Sequence, residues 1–292
     1  MHPYRSMLFV PAHKPDWALK ALASGADSIV LDLEDSVALE RKPQARVTAR
    51  ESIAELRRRS SEVGIFVRVN AWETGLGGED LEAVISDGLT GVFIPKVEDP
   101  LQVVRWDALS EYLERKNNLP RLRFVLPVET VGAIERCGEI AAASPRTAAM
   151  VVSTSEHADI ARAVGYRQTR EGLETLYFRS RVLLACRRHG LHPMTGLWED
   201  IDDLDGLAEF AERGAQLGFR GLIVIHPSHV AVVNKTFTPS DEEVEYYEGM
   251  VAAVEAALAE GRGAARYRGK HVDIAHAQKA REWLERARVF RR

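Results

Sequence analysis

Apolar and polar positions along this chain repeat one pattern eight times. Short, almost continuously apolar runs lie at "SMLFV" (6–10), "SIVLDL" (28–33), "GIFVRVN" (64–70), "GVFIP" (91–95), "RFVLPVE" (123–129), "AAMVVS" (148–153), the weaker "HPMTGL" (192–197) and "GLIVI" (221–225). Each is followed by a helical-looking stretch, from "DWALKALASG" after the first to "SDEEVEYYEGMVAAVEAALAEG" after the last. The runs predict strands and the longer stretches amphipathic helices. Strands apolar on both faces and separated by helices belong to a parallel sheet covered on both sides. Eight such units predict an α/β fold, a (β/α)8 TIM barrel. An open doubly wound sheet is the rival topology, but "VPAHKPDW" after the first strand lacks GxGxxG.

Past the eighth unit the tail "GAARYRGKHVDIAHAQKAREWLERARVFRR" changes character. Its "ARYRGKHVD" reads as an ordered loop or flap, and "IAHAQKAREWLERA" as an amphipathic helix. A solvated basic tail is the plainer alternative. The expected organisation is a barrel catalytic domain over 1–262 and a C-terminal flap with a helix extension over 263–292, contacting a neighbouring subunit.

Composition narrows the class. Hydrophobic residues at 46% and charged residues at 28% describe a soluble globular protein. A net charge of −4 gives no basic footprint for nucleic acid. No apolar run approaches the ~20 residues of a membrane span. The opening "MHPYRSMLFVPAHK" enters a strand directly, without a leader-like basic and apolar region. Two cysteines, Cys137 and Cys186, lie in helix-like segments and act as small apolar residues in a reducing, cytoplasmic setting.

In a barrel, chemistry gathers at the carboxyl ends of the strands. Here those ends carry Asp32, Glu34 and Asp35 after strand two, Arg68 and Asn70 on strand three, Lys96 after strand four and Glu129 on strand five. "STSEHAD" follows the sixth and His226 the eighth. Carboxylates converging on one mouth supply hard oxygen ligands suited to Mg²⁺, which takes one or two and leaves places for substrate oxygens. Arg68 offers a planar fork for a carboxylate. No histidine and cysteine clusters at zinc spacing occur. A Ser-His-Asp hydrolase built from Ser153 or Ser155 with His157 lacks a GxSxG elbow.

Taken together and in order, "RSMLFVPAHKP", "GADSIVLDLEDSV", "KPQAR", "FVRVN", "VFIPKVED" and "VIHPSHV" resemble the citrate lyase β-subunit-like proteins of the HpcH/HpaI aldolase superfamily. The tail "GKHVD" before a helix fits the same group, so the resemblance spans about residues 5–285. It implies a barrel that binds Mg²⁺ and makes or breaks a carbon–carbon bond beside a carbonyl, commonly in an acyl-CoA. Glu129 matches the family's metal-binding glutamate, and "DIARAVG" (159–165) places Asp159 at the second metal ligand. Glu156, His157 and Ala158 replace the usual Gly-x-Glu before it, which puts the substrate pocket in question. Arg68 matches the arginine that grips the oxo-acid, and Glu34 with Asp35 the acidic pair that orders metal-bound waters. Lys14 and Arg5 fall where CoA is bound, although Ala12 replaces a glycine there and Leu222 stands where many relatives carry lysine. Lys96 is read as structural, pairing with neighbouring carboxylates. Asp273 matches the flap aspartate that serves as general base in the acyl-CoA lyases.

The flap and the Glu34-Asp35 pair favour an acyl-CoA over a free hydroxy-oxo-acid. The implied activity is Mg²⁺-dependent cleavage of a 3-hydroxy-3-carboxyacyl-CoA of the malyl, citramalyl or citryl type into an oxo-acid and an acyl-CoA. The alternatives are a class II aldolase on free hydroxy-oxo-acids, an acyl-CoA thioesterase, or a non-catalytic subunit of a lyase complex. The family pattern implies a homo-oligomer, a trimer first and a hexamer second.

Overall fold

The computed structural model describes residues 4–290; the first three and last two residues of the expected domains lie outside it. Eight parallel strands close into a barrel in sequence order, with β1 also pairing β8. They are β1 Ser6–Pro11, β2 Ser28–Asp32, β3 Gly64–Arg68, β4 Gly91–Phe93, β5 Arg123–Pro127, β6 Thr147–Ser153, β7 His192–Gly196 and β8 Leu222–Val224. The eight runs read from the sequence are these eight strands.

Helices fill the intervals: α1 Pro15–Ala23, α2 Lys42–Arg59, α3 Gly77–Val84, α4 Pro100–Asn117, α5 Val131–Glu135, α6 Cys137–Ala142, α7 Asp159–Val164, α8 Leu176–His189, α9 Leu204–Leu217 and α10 Pro227–Phe237. The stretch after the fifth strand forms two short helices, because Arg136 leaves helical geometry at φ −108°, ψ 15°. Inside the barrel, Met7, Val30, Phe66, Phe93, Val125, Val151, Met194 and Ile223 pack as one filled core. Outside it, Ala45, Ala49, Ile53 and Leu56 of α2 recur at three- and four-residue spacing, and all are fully buried. Both cysteines are free and buried.

By packing, the chain forms two compact units, Met1–Lys235 and Thr236–Arg292. The division falls ahead of the one expected after Arg262 from the sequence. The segment "SDEEVEYYEGMVAAVEAALAEG", expected as the eighth barrel helix, becomes α11 Asp241–Ala259 of the second unit, and α10 directly follows β8 instead. Pro239 and the Ser240 capping box, with the Ser240 hydroxyl accepting from the Glu243 amide at 3.1 Å, start α11 afresh. In the second unit Met250 and Val254 of α11 pack on Val272, Ala277 and Ala280. Val272 belongs to the hairpin β9 Ala264–Tyr267 and β10 Lys270–Asp273, and the two alanines to α12 Ile274–Phe290. The flap is thus a two-stranded hairpin, turned by Arg268 and Gly269 at φ 45° and 82°. Among the described residues no helix is long and apolar enough to cross a membrane.

Candidate active site at the carboxyl rim of the barrel

Arg68 is the hub of the site. Parallel pairing sets Asp32 and Arg68 side by side at the last rung of β2 and β3. There the Arg68 Nε and Nη2 donate to Asp32 Oδ1 and Oδ2 at 2.6 and 2.7 Å, a two-pronged pair. Nη1 on the other side of the guanidinium lies 3.0 Å from Glu34 Oε2 and 3.6 Å from Asp35 Oδ2. The Phe9 ring backs the group at 5.2 Å. Burial works against the Arg68 charge, but Asp32, Glu34 and Asp35 outweigh it and raise its pKa. Burial alone would likewise raise Asp32, yet Arg68 and the nearby Ser36 and Glu34 donors hold its carboxyl below the usual range. Asp32 thus takes the Nε–Nη2 edge of the fork while Glu34 and Asp35 flank Nη1.

Glu34 faces the opposite balance. It is 5% exposed, and burial pushes its carboxyl up to about 7. Asp35 and Glu129 push the same way, while Arg68 and Lys96 pull back. Lys96 Nζ sits 3.1 Å from Glu34 Oε1 and 3.8 Å from Asp35 Oδ1, the carboxylate pairing read from the sequence. Lys96 also adopts φ 54°, a left-handed backbone unusual for a residue with a side chain. That conformation costs about 1–2 kcal/mol. It accompanies a Lys96 amide that donates to Glu129 Oε1 at 2.7 Å, as its ammonium meets Glu34.

Glu129 therefore holds the Lys96 amide at the end of β5. Burial, then Asp159, raises its pKa; the Lys96 bond and the Arg68 and Lys96 charges oppose that rise. Asp159 opens α7 after β6, with Oδ1 accepting from Arg162 Nη2 at 2.8 Å. The Asp159 charge thus opposes ionisation of Glu129, and a hard divalent cation would relieve that repulsion. The donor chemistry fits Mg²⁺. Among the described residues no group of three or more His, Cys, Asp or Glu gathers as a metal cluster.

Lys14 lies just beyond β1, exposed at the same rim, its ammonium 5.8 Å from the Trp17 ring. Arg5 does not. It precedes β1 at the amino end of the barrel, where its Nε and Nη2 grip Asp27 at 2.9 and 2.6 Å. Residues at that end of a barrel commonly serve stability, and Arg5, expected as a CoA contact, stands there in an ion pair with Asp27. In the second unit Asp273 closes β10 and caps α12, its Oδ1 accepting from the Ala275 amide at 3.0 Å and the His276 amide at 3.3 Å. His276 Nδ1 approaches the same oxygen at 2.7 Å and leads the causes that hold Asp273 below the usual carboxylate range.

Two features were invisible from the sequence. Asp32 stands there only as one of several acids, and nothing local marks it as Arg68's main partner. Glu199, in the loop after β7, lies 2.6 Å (Oε2) from His157 Nδ1 and accepts from the His157 amide at 3.3 Å (Oε1). It raises the His157 pKa. The partners are 42 residues apart, so no spacing motif signals them. His226, after β8, has its Nδ1 2.6 Å from Ser228 Oγ.

The fold and rim define a (β/α)8 barrel whose carboxyl end gathers acids around one arginine. The HpcH/HpaI aldolase/citrate lyase family model matches residues 5–227, and the chain belongs to that family. It is accordingly an enzyme of the lyase class. The L-malyl-CoA/beta-methylmalyl-CoA lyase of Cereibacter sphaeroides (strain ATCC 17025 / ATH 2.4.3) is 36% identical over 309 residues, 99% of this chain and 96% of that protein. A (3S)-malyl-CoA thioesterase of Cereibacter sphaeroides (strain ATCC 17029 / ATH 2.4.9) is 33% identical over 292 residues, again 99% and 96%. Among solved structures, CitE from Mycobacterium tuberculosis in complex with magnesium, acetoacetate and coenzyme A is 32% identical and superposes with TM-score 0.77, covering 98% of each chain. A Burkholderia xenovorans citrate lyase at 20% identity and TM-score 0.84 shows the fold alone.

Proposed function

We propose that this protein is a Mg²⁺-dependent carbon–carbon lyase that cleaves a 3-hydroxy-3-carboxyacyl-CoA of the malyl, citramalyl or citryl type. The observation that carries the reading is the Arg68 fork, gripped on one edge by Asp32 and backed by Glu34, beside the Glu129–Asp159 pair. Full-length similarity to a malyl-CoA lyase, and to a CitE structure holding magnesium and coenzyme A, supports the substrate class.

Glu129 and Asp159 would hold the Mg²⁺, which when bound supplies Lewis-acid stabilisation of the developing carbonyl. Arg68 receives the carboxylate that leaves with the oxo-acid, which takes the place of its Glu34 and Asp35 contacts at Nη1. Glu34 and Asp35 fix Arg68 and Lys96, and would order water near a bound ion. Lys14 meets the CoA end. Asp273 removes the proton from the substrate hydroxyl; the oxygen becomes the carbonyl of the oxo-acid as the carbon–carbon bond breaks. The bonding electrons pass to the thioester enolate, which takes up a proton and leaves as the acyl-CoA. Asp273 is delivered from a neighbouring subunit of a homo-oligomer, a trimer in the first instance, in the cytoplasm.

The similarity to a malyl-CoA thioesterase favours one second reading, in which water releases the free hydroxy-acid and CoA. The test is incubation with malyl-, citramalyl- and citryl-CoA and Mg²⁺, with both product sets followed by mass spectrometry. An oxo-acid with an acyl-CoA is the expected outcome; the hydroxy-acid with free CoA would move the assignment to the thioesterase. Condensation of pyruvate with aldehydes without any CoA would reject both.

A further inference from the structure

Behind the acid arm of the site lies a buried ammonium that the reaction does not touch. Lys42, the first residue of α2, is 8% exposed. An ammonium has three donors, and here each is used. Nζ donates to the Leu33 carbonyl at 2.7 Å, the Glu34 carbonyl at 2.8 Å and Asn70 Oδ1 at 2.7 Å. Those two carbonyls belong to the peptides on either side of the Glu34 α-carbon, so one charge fixes both. The Glu34 amide is fixed as well, donating to Asp32 Oδ1 at 2.9 Å.

Asn70 is itself pinned. Its Nδ2 donates to the Leu33 carbonyl at 3.0 Å and to Asp80 Oδ2 at 2.6 Å, and its amide donates to the same Asp80 oxygen at 2.8 Å. Asp80 is fully buried and receives Arg46 Nε at 2.7 Å. An uncharged side chain would fill the Lys42 position at lower desolvation cost. What the charge adds is a fixed geometry for the turn that carries Glu34.

We propose that Lys42 is a positioning residue for the lyase site: it clamps the main chain on both sides of Glu34 and so aims that carboxylate at Arg68 and Lys96. The proposal rests on Glu34 and Arg68 being substrate-side groups of a lyase. Lys42 touches neither substrate nor metal ligand; its effect passes through Glu34, which stands 3.0 Å from Arg68 Nη1 and 3.1 Å from Lys96 Nζ.

The experiment compares wild type, Lys42→Met, Glu34→Gln and the double variant in malyl-CoA cleavage with Mg²⁺, alongside calorimetric Mg²⁺ binding. A displacement near 1 Å at the acid arm should lower kcat of Lys42→Met about 10²-fold. KM and the Mg²⁺ Kd should stay within about threefold, because the substrate and metal contacts themselves remain. The double variant should be no slower than Glu34→Gln by more than about threefold, since both changes break one chain of contacts. Multiplied losses in the double variant would overturn the proposal. So would a wild-type kcat per Mg²⁺-binding site accompanied only by a lower Tm, the signature of a merely structural lysine. If the wild type cleaves no CoA ester, the functional reading fails and a crystal structure of Lys42→Met decides this one separately. A Glu34 carboxylate within about 0.5 Å of its wild-type position would overturn it, and a larger shift supports it. Should Lys42→Met not fold, Lys42→Arg replaces it under the same criteria, keeping the charge on a planar fork that cannot reproduce three tetrahedral donors.

Discussion

The clearest physical consequence of the site is a stability that falls as pH rises through the weakly acidic range. In the metal-free protein burial holds the Glu34 carboxyl at about 7 against an ordinary 4.5. Between those values the folded chain keeps a proton that the unfolded chain has lost, so stability declines as pH rises from 4.5 towards 7. At 1.36 kcal/mol per tenfold change, the whole effect is about 3 kcal/mol. About 2 kcal/mol of it falls between pH 5 and 6.5. Asp32 contributes in the opposite direction, but below the ordinary 3.8 and outside that interval. His157, raised above 6.5 by Glu199, loses its contribution only as pH climbs beyond 6.5. Glu129, also raised by burial, shares the sign of Glu34 and leaves a residual slope. The assay is thermal unfolding in EDTA at pH 5.0, 5.5, 6.0 and 6.5 for wild type and Glu34→Gln. A domain of this size shifts by about 2–4 °C per kcal/mol, so the wild type should lose about 5 °C more than the variant across the series. Parallel profiles would refute the argument, since they require Arg68 and Lys96 to cancel the cost of burying Glu34.

Two further outcomes rest on the same geometry. Calorimetry on metal-free protein should show Mg²⁺ binding that Glu129→Gln and Asp159→Asn each weaken by at least about tenfold, because each removes one of the two hard anionic donors; unchanged binding in both folded variants would remove the metal from this pair. Arg68→Ala and Asp273→Asn proteins should each be nearly inactive, and refolding them together should restore part of the activity if the base crosses between subunits; no recovery in verified mixed oligomers would end that role. Asparagine is the substitution of choice because its side-chain oxygen can still cap α12 through the Ala275 amide.

The barrel was legible because its signal is repeated and local. Each strand is apolar on both faces, and each break carries its own punctuation, so eight units could be counted without knowing one long-range contact. Where the count misled, the cause was equally local. "PSHVAVVNKTF" is short, while α11, which follows it in the chain, runs nineteen residues and opens on a full capping box. Length and capping identified a helix; they carried no information about which unit it packs on. The placement of Arg5 has a related cause. A motif places residues along the chain, but Arg5 and Lys14 flank β1 on opposite ends, so one strand of six residues separates a structural arginine from a rim lysine.

The site was legible as an inventory and not as a set of pairings. Strand-end logic gathered Asp32, Glu34, Asp35, Arg68, Lys96, Glu129 and Asp159 at one rim, but pairing depends on register and on backbone exceptions such as Lys96 at φ 54°. The altered segment Glu156-His157-Ala158 makes the difference concrete. In sequence it appears as the loss of a glutamate beside Asp159. In the fold, a carboxylate reaches the same loop from β7, since Glu199 accepts from the His157 amide and pairs with its ring. A negative charge absent from one strand end can thus be supplied by the next, because neighbouring strands of a closed barrel deliver their loops to the same mouth. The altered segment therefore brings an imidazole, His157, to the rim and holds it with a carboxylate from the loop after β7.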